Sequence, residues 1–177
     1  MFAAAAAGAI LLASRETGWS AALLWLAAAL GIQLRLLCNL MDGMVAVEGG
    51  RRTADGDLYN EFPDRVSDVV ILAAAGYAHP DMPWHVALGW AAAITALLTA
   101  TVRMHGASLT GHHDFSGPMA KPQRMALITV ACLWMAAAGV LSLPPNGLAV
   151  ALGLVVAGAL LTTARRLAHV STQLRKP

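Results

Sequence analysis

Six apolar runs separated by short polar connections constrain this chain more than any other feature of its sequence. They cover residues 2–14, 19–47, 58–78, 82–104, 125–143 and 147–164, and most approach the roughly 20 residues a helix needs to cross a bilayer. In lipid every backbone N–H and C=O must be paired within the protein, so runs this rich in Ala and Leu are expected as helices. Composition agrees, since 58% of the 177 residues are hydrophobic and only 12% are charged, whereas a soluble domain carries about 25% charged residues. The expectation is an all-α integral membrane protein of six transmembrane helices forming one domain over residues 1–177, with no nucleic-acid partner. The first run is short and lacks a basic flank. It is expected to be the later part of a longer helix, truncated or begun at a start codon assigned too late; a signal peptide would need a charged segment before Phe2.

The connections set the orientation. Arg51 and Arg52 lie between the second and third runs, Lys121 and Arg124 between the fourth and fifth, and Arg165, Arg166, Arg175 and Lys176 in the tail. The other connections carry only Arg15 and two Pro-rich turns. By the positive-inside rule the basic connections and both termini face the cytoplasm of a cell inner membrane. Trp19 and Trp84 fall at helix ends, where indole rings favour the headgroup layer, while Trp25, Trp90 and Trp134 are expected to pack or face lipid. Cys38 and Cys132 are expected as small buried hydrophobes. Small residues at helical spacing, as between Gly147 and Gly158, suit close helix packing or dimerisation.

Ionisable groups inside the runs carry the chemical information. Asp42 lies near the end of the second run, and Glu61, Asp64, Arg65 and Asp68 lie in the first half of the third. Each such group at a bilayer centre costs about 2.5–3.5 kcal/mol on insertion scales, so a cluster needs a compensating reason. Asn39 and Asp42 are three apart and share one helix face; Asn60, Asp64 and Asp68 are four apart and share another. A short connection makes the two helices antiparallel neighbours, so the faces can meet. Oxygen donors alone suit Mg²⁺, Mn²⁺ or Ca²⁺ and not zinc, which wants His or Cys. The competing reading is an internal ion pair from Asp64 to Arg35, Arg65 or Arg103, with no metal. Pro63 removes a backbone donor just before Asp64 and predicts a kink.

The stretch Asn39-Leu-Met-Asp42-Gly43-Met-Val-Ala46, followed by Gly56, Asn60 and Asp64, resembles the signature of the CDP-alcohol phosphotransferases, D-x2-D-G-x2-A-R-x8-G-x3-D-x3-D. Asp42, Gly43, Ala46, Gly56 and Asp64 match with every gap kept, while Asn39, Val47 and Asn60 replace two aspartates and the arginine. The resemblance implies a six-helix homodimeric membrane enzyme of phospholipid biosynthesis. It would move a phospho-alcohol group from a CDP-linked lipid donor to a hydroxyl acceptor and release CMP. It implies two Mg²⁺ or Mn²⁺ ions held by Asn39, Asp42, Asn60, Asp64 and, one turn further, Asp68, with Glu61 also able to restore charge. By the same resemblance Gly43, Ala46 and Gly56 leave room for the cytidine diphosphate group, and Asp64 is the catalytic base, with Asp68 as the alternative.

A second polar element lies at residues 105–124. Lys121 and Arg124 could hold the phosphate of an acceptor or serve as positive-inside anchors, and Arg103 is expected to bind an anion beside the acids. His112 and His113 are expected as solvated loop residues. Two rivals stand beside the enzyme: a degenerate relative that binds nucleotide or lipid without turnover, which the two asparagines and Val47 would explain, and a small ion-coupled carrier. A carrier predicts polar groups continuing to the outer face, and the outer halves of the runs are almost wholly apolar.

Overall fold

The computed structural model describes residues 1–48, 56–79 and 82–175, and of residues 42, 43, 45–48 and 56–60 it describes the backbone alone. The described residues form six helices: α1 (Phe2–Ala13), α2 (Gly18–Glu48), α3 (Gly56–Gly76), α4 (Pro83–Thr110), α5 (Lys121–Leu141) and α6 (Gly147–Leu174). Pro83 and Pro122 sit in the first turns of α4 and α5, where a missing N–H costs nothing and the fixed φ already suits a helix. Helices α4, α5 and α6 each outrun the apolar pattern at the end that carries the basic residues. Hydropathy marks where a helix meets lipid, and the polar turns beyond it are invisible to that signal.

Four helices, α2, α4, α5 and α6, are long and apolar enough to cross a membrane. Helix α1 has 12 residues, about 18 Å at 1.5 Å per residue. Helix α3 has 21 residues, and Glu61, Asp64, Arg65 and Asp68 crowd its first half. Membrane character is written on the outer surface as well. Leu23, Leu30, Ile94, Val130, Leu133 and Leu154 are exposed, a display that water would not favour and lipid chains would.

Packing follows small residues. Helix α1 lies against both α2 and α3, α2 against α5, and α4 against α3 and α6. Helices α2 and α3 face each other through Arg35 and Asn39 on one and Asp64 and Asp68 on the other, with α1 packed against both. At the crossing of α3 and α4, a Cβ built on Gly89 would lie 2.5 Å from the Cα of Gly76, so these backbones touch where no side chain fits. Gly31 approaches Ala6 in the same manner, its added Cβ standing 3.1 Å from the alanine Cβ. The apolar core runs through Ile10, Trp25, Ile32, Ile71, Leu72, Ile128, Leu148 and Leu152. Cys132 is buried, but Cys38 is exposed on the outside of α2, beside exposed Leu37 and Leu40. That overturns its expected burial, because its helical position faces away from α1 and α5. Trp19 and Trp84 are exposed and Trp25 is fully packed.

Candidate active site

Charge gathers at one end of the bundle. There the late turns of α2, α4 and α6 meet the early turns of α3 and α5, and an open cavity of about 370 Å³ lies between them. Its wall carries Glu61, Asp64 and Asp68 against Arg65, Arg103, Lys121, Arg124 and Arg166, so among the described residues the lining has more basic groups than acidic ones.

Asp64 is the junction of this network. Its Oδ1 accepts hydrogen bonds from Asn39 Nδ2 at 2.5 Å and Arg35 Nη2 at 3.2 Å, and its Oδ2 is ion-paired with Lys121 Nζ. Arg35 Nη2 also donates to the Asp64 carbonyl at 2.7 Å. Three helices thus converge on one carboxylate, which keeps 22% of its side-chain surface open. One turn along α3, Asp68 is buried between two guanidinium groups. Arg124 Nη2 donates to its Oδ2 at 2.9 Å, and Arg35 Nη1 stands 2.8 Å from its Oδ1. The second contact is an ion pair by distance but is misaligned as a hydrogen bond, so Asp68 Oδ1 has no hydrogen-bond partner among the described residues.

Glu61 takes the remaining cations. Arg103 Nη2 reaches its two oxygens at 2.5 and 2.6 Å, and Arg65 Nη2 lies 2.8 Å from Oε2. Of the three cations considered as partners for Asp64, then, Arg35 is used, while Arg65 and Arg103 go to Glu61. Helix α3 continues through Pro63, whose carbonyl accepts from Ser67 Oγ at 2.8 Å.

The connection from α4 to α5 closes one side of the cavity. Phe115 lies over Arg103 with 5.3 Å from guanidinium carbon to ring centre, a cation–π contact. Arg166, buried on α6, donates to the carbonyls of Ser116 at 2.9 Å and Thr99 at 3.1 Å, fastening the connection to α4. Gly117 has φ +116° and a Cβ there would lie 2.5 Å from Thr162 Cγ2, so both conformation and space require glycine. Asp114 accepts from the Ser116 N–H at 2.8 Å and lies 2.9 Å from His169 Nδ1. Partial burial pushes the Asp114 carboxyl up, but its bonds to Ser116 and His169 outweigh that and bring it down to about 2. His112 and His113 are exposed, as expected of solvated loop residues.

Sequence reasoning brought Asn39, Asp64, Asp68, Arg103, Lys121 and Arg124 to one cavity. It singled out Arg35 only as an ion-pair partner and read Arg166 as a tail anchor, because a basic residue in the last turns of a helix looks the same in sequence whether it turns inward or outward. The side chains of Asp42, Gly43, Ala46, Gly56 and Asn60 lie outside the described residues. Among the described residues no three His, Cys, Asp or Glu side chains come together as a metal cluster. The donors present still suit a hard cation. Asn39 and Asp64 are in contact on facing helices, half a turn of the Asn39 amide presents its oxygen to the same point, and Asp68 Oδ1 is a buried carboxylate oxygen lacking a hydrogen bond.

No protein-family model matches the chain, and no curated protein sequence does. Solved structures do. A crystal structure of Mycobacterium tuberculosis phosphatidylinositol phosphate synthase (PgsA1) with CDP-DAG bound superposes with a TM-score of 0.76 at 19% identity, over 96% of this chain and 82% of that one. The chain has the fold of this synthase. A second structure of the same synthase, in complex with manganese and citrate, gives a TM-score of 0.73 at 19% identity, over 97% of this chain and 79% of that one. Identity this low ties the two chains by architecture, and what the residues at the charged end do has to be argued from their own chemistry.

Proposed function

We propose that this chain is a membrane enzyme that transfers a phospho-alcohol group from a CDP-linked lipid donor to a hydroxyl acceptor, releasing CMP, as a step of phospholipid synthesis. The observation that carries the reading is Asp64, a part-open carboxylate on a basic cavity, in contact with Asn39 and set in a fold shared with a synthase whose structure holds CDP-DAG. In the same reading Asn39, Asp42, Asn60, Asp64 and Asp68 hold Mg²⁺ or Mn²⁺, two ions in the full arrangement, and Gly43, Ala46 and Gly56 leave space for the cytidine diphosphate. The cations would screen the diphosphate charge and stabilise the attacking and leaving oxygens. The manganese complex of the similar synthase supports a divalent metal.

The chain's own residues supply the remaining steps. Asp64 takes the proton of the acceptor hydroxyl as its oxygen attacks the phosphorus nearest the lipid, and the bond to CMP breaks. Arg35 holds Asp64 through both its carboxylate and its carbonyl, fixing the base in place. Lys121, Arg124 and Arg103 offer charge to an anionic acceptor or to the phosphate in transfer. Arg166 keeps the α4–α5 connection over the cavity, limiting water that would compete as acceptor.

The arrangement in the membrane follows from the same proposal. The six helices form one multi-pass domain over residues 1–177, with the charged end facing the cytoplasm of the inner membrane and a second copy completing a homodimer. Helix α3 is tolerated in lipid because its acids are paired inside the bundle.

The test is CMP release by purified protein given CDP-diacylglycerol, Mn²⁺ or Mg²⁺ and a pool of polar alcohols that includes phosphorylated ones. Release should require metal and fall by at least about 10²-fold in Asp64→Asn, the scale for loss of a general base. Cytidine nucleotide binding without release would favour the degenerate binding protein, to which Asn39, Asn60 and Val47 lend support. The absence of both release and binding would overturn the assignment.

A further inference from the structure

The end of the bundle away from the charged cavity holds a pair of histidines that the proposed reaction does not use. Gly76, the last residue of α3, lies roughly 18 Å along that helix from Asp64. His85 is 1% exposed, and its Nδ1 lies 2.8 Å from the Gly76 carbonyl. A carbonyl only accepts, so Nδ1 carries the proton and a neutral His85 bears its free lone pair on Nε2. His79 stands beside it, ring centres 4.9 Å apart and planes at 86°. The Nε2 atoms of both rings are buried and have no hydrogen-bond partner among the described residues. His85 therefore satisfies a backbone carbonyl with one nitrogen and leaves the other bare, the arrangement by which a carbonyl orients a metal-ligating histidine.

We propose that His79 and His85 bind a borderline transition-metal cation of the Zn²⁺ class through their Nε2 atoms, at a site separate from the oxygen-lined cavity. Adjacent rings that each bury an Nε2 without a hydrogen bond among the described residues offer two nitrogen donors, and nitrogen donors select zinc-type ions over Mg²⁺. The spacing suits one ion: with metal–nitrogen bonds of about 2.0–2.1 Å, two imidazoles on a tetrahedral ion have ring centres about 5 Å apart. The Gly76–Gly89 crossing fixes the backbone around His85, since a Cβ on Gly76 would meet the His85 carbonyl oxygen at 3.2 Å. The ion would tie the α3–α4 turn to the start of α4, with water completing its coordination.

The experiment uses the full chain in detergent carrying His112→Gln and His113→Gln, which removes the loop histidines as competing ligands, with excess Mg²⁺ to fill oxygen sites. Equilibrium dialysis against Zn²⁺ should show one ion per chain, and X-ray absorption should read two imidazole nitrogens on it. His79→Gln and His85→Gln should each weaken retention by about tenfold or more. If His85→Gln fails to fold, His79→Gln with an unchanged helical spectrum carries the test, because that ring is the less buried. No bound Zn²⁺, or equal retention in a folded His79→Gln chain, would overturn the site and leave the two rings sharing a water.

Discussion

Asp68 and Arg124 are each almost wholly buried and lie 2.9 Å apart, so removing Arg124 leaves Asp68 with Arg35 as its remaining guanidinium. Arg124→Met should destabilise the protein by about 1–3 kcal/mol, less than the roughly 3–5 kcal/mol of breaking an isolated buried pair, and Asp68→Asn together with Arg124→Met should recover part of the loss. Unfolding in mixed micelles of the single and double variants checks both. Asp114 gives a prediction in pH. Its folded pKa of about 2 lies below the roughly 3.9 of an unfolded aspartate, so its contribution is present above the unfolded value and is lost as pH falls towards the folded one. Pepsin cleavage near Phe115 should therefore stay slow near pH 4 and rise towards pH 2. The acids and their helical spacing were readable from sequence. The partner of each acid was not, because Arg35, Arg65, Arg103, Lys121 and Arg124 come from four different helices and only packing decides which turns to which acid.

Helices are joined here by what they lack. The Gly76–Gly89 contact leaves no volume for a methyl group, and an added side chain must push α3 from α4. Gly89→Ala should cost about 1–3 kcal/mol, as overpacking does, while Gly153→Ala, where nothing lies within 4 Å of the new Cβ, should be near neutral; thermal unfolding of the two variants separates these outcomes. Six helices were legible because apolar runs and proline-bearing turns are local signals. Their pairing was legible only in part. A short connection argues for adjacent neighbours, and α2 and α3 do face each other through Arg35, Asn39, Asp64 and Asp68; that α1 packs against both as well depends on the fit of Ala6 to Gly31 and leaves no mark in either helix alone.

At the scale of the whole molecule, the charged end and the apolar sides define a polarity across the membrane. In a chain with Cys38→Ser and Cys132→Ser, a cysteine at His113 should be labelled by impermeant maleimide from the cytoplasmic side only, and one at Asn146 from the other side only. The reverse pattern would remove the proposed orientation. The basic surplus around the cavity has a kinetic consequence under the proposed reaction. A site that draws in polyanions by field also holds the nucleotide it has just made, so departure, and not bond breaking, would set the pace at low ionic strength. Added salt shortens that field, and turnover would pass through a maximum where faster product escape and weaker capture of the next donor balance.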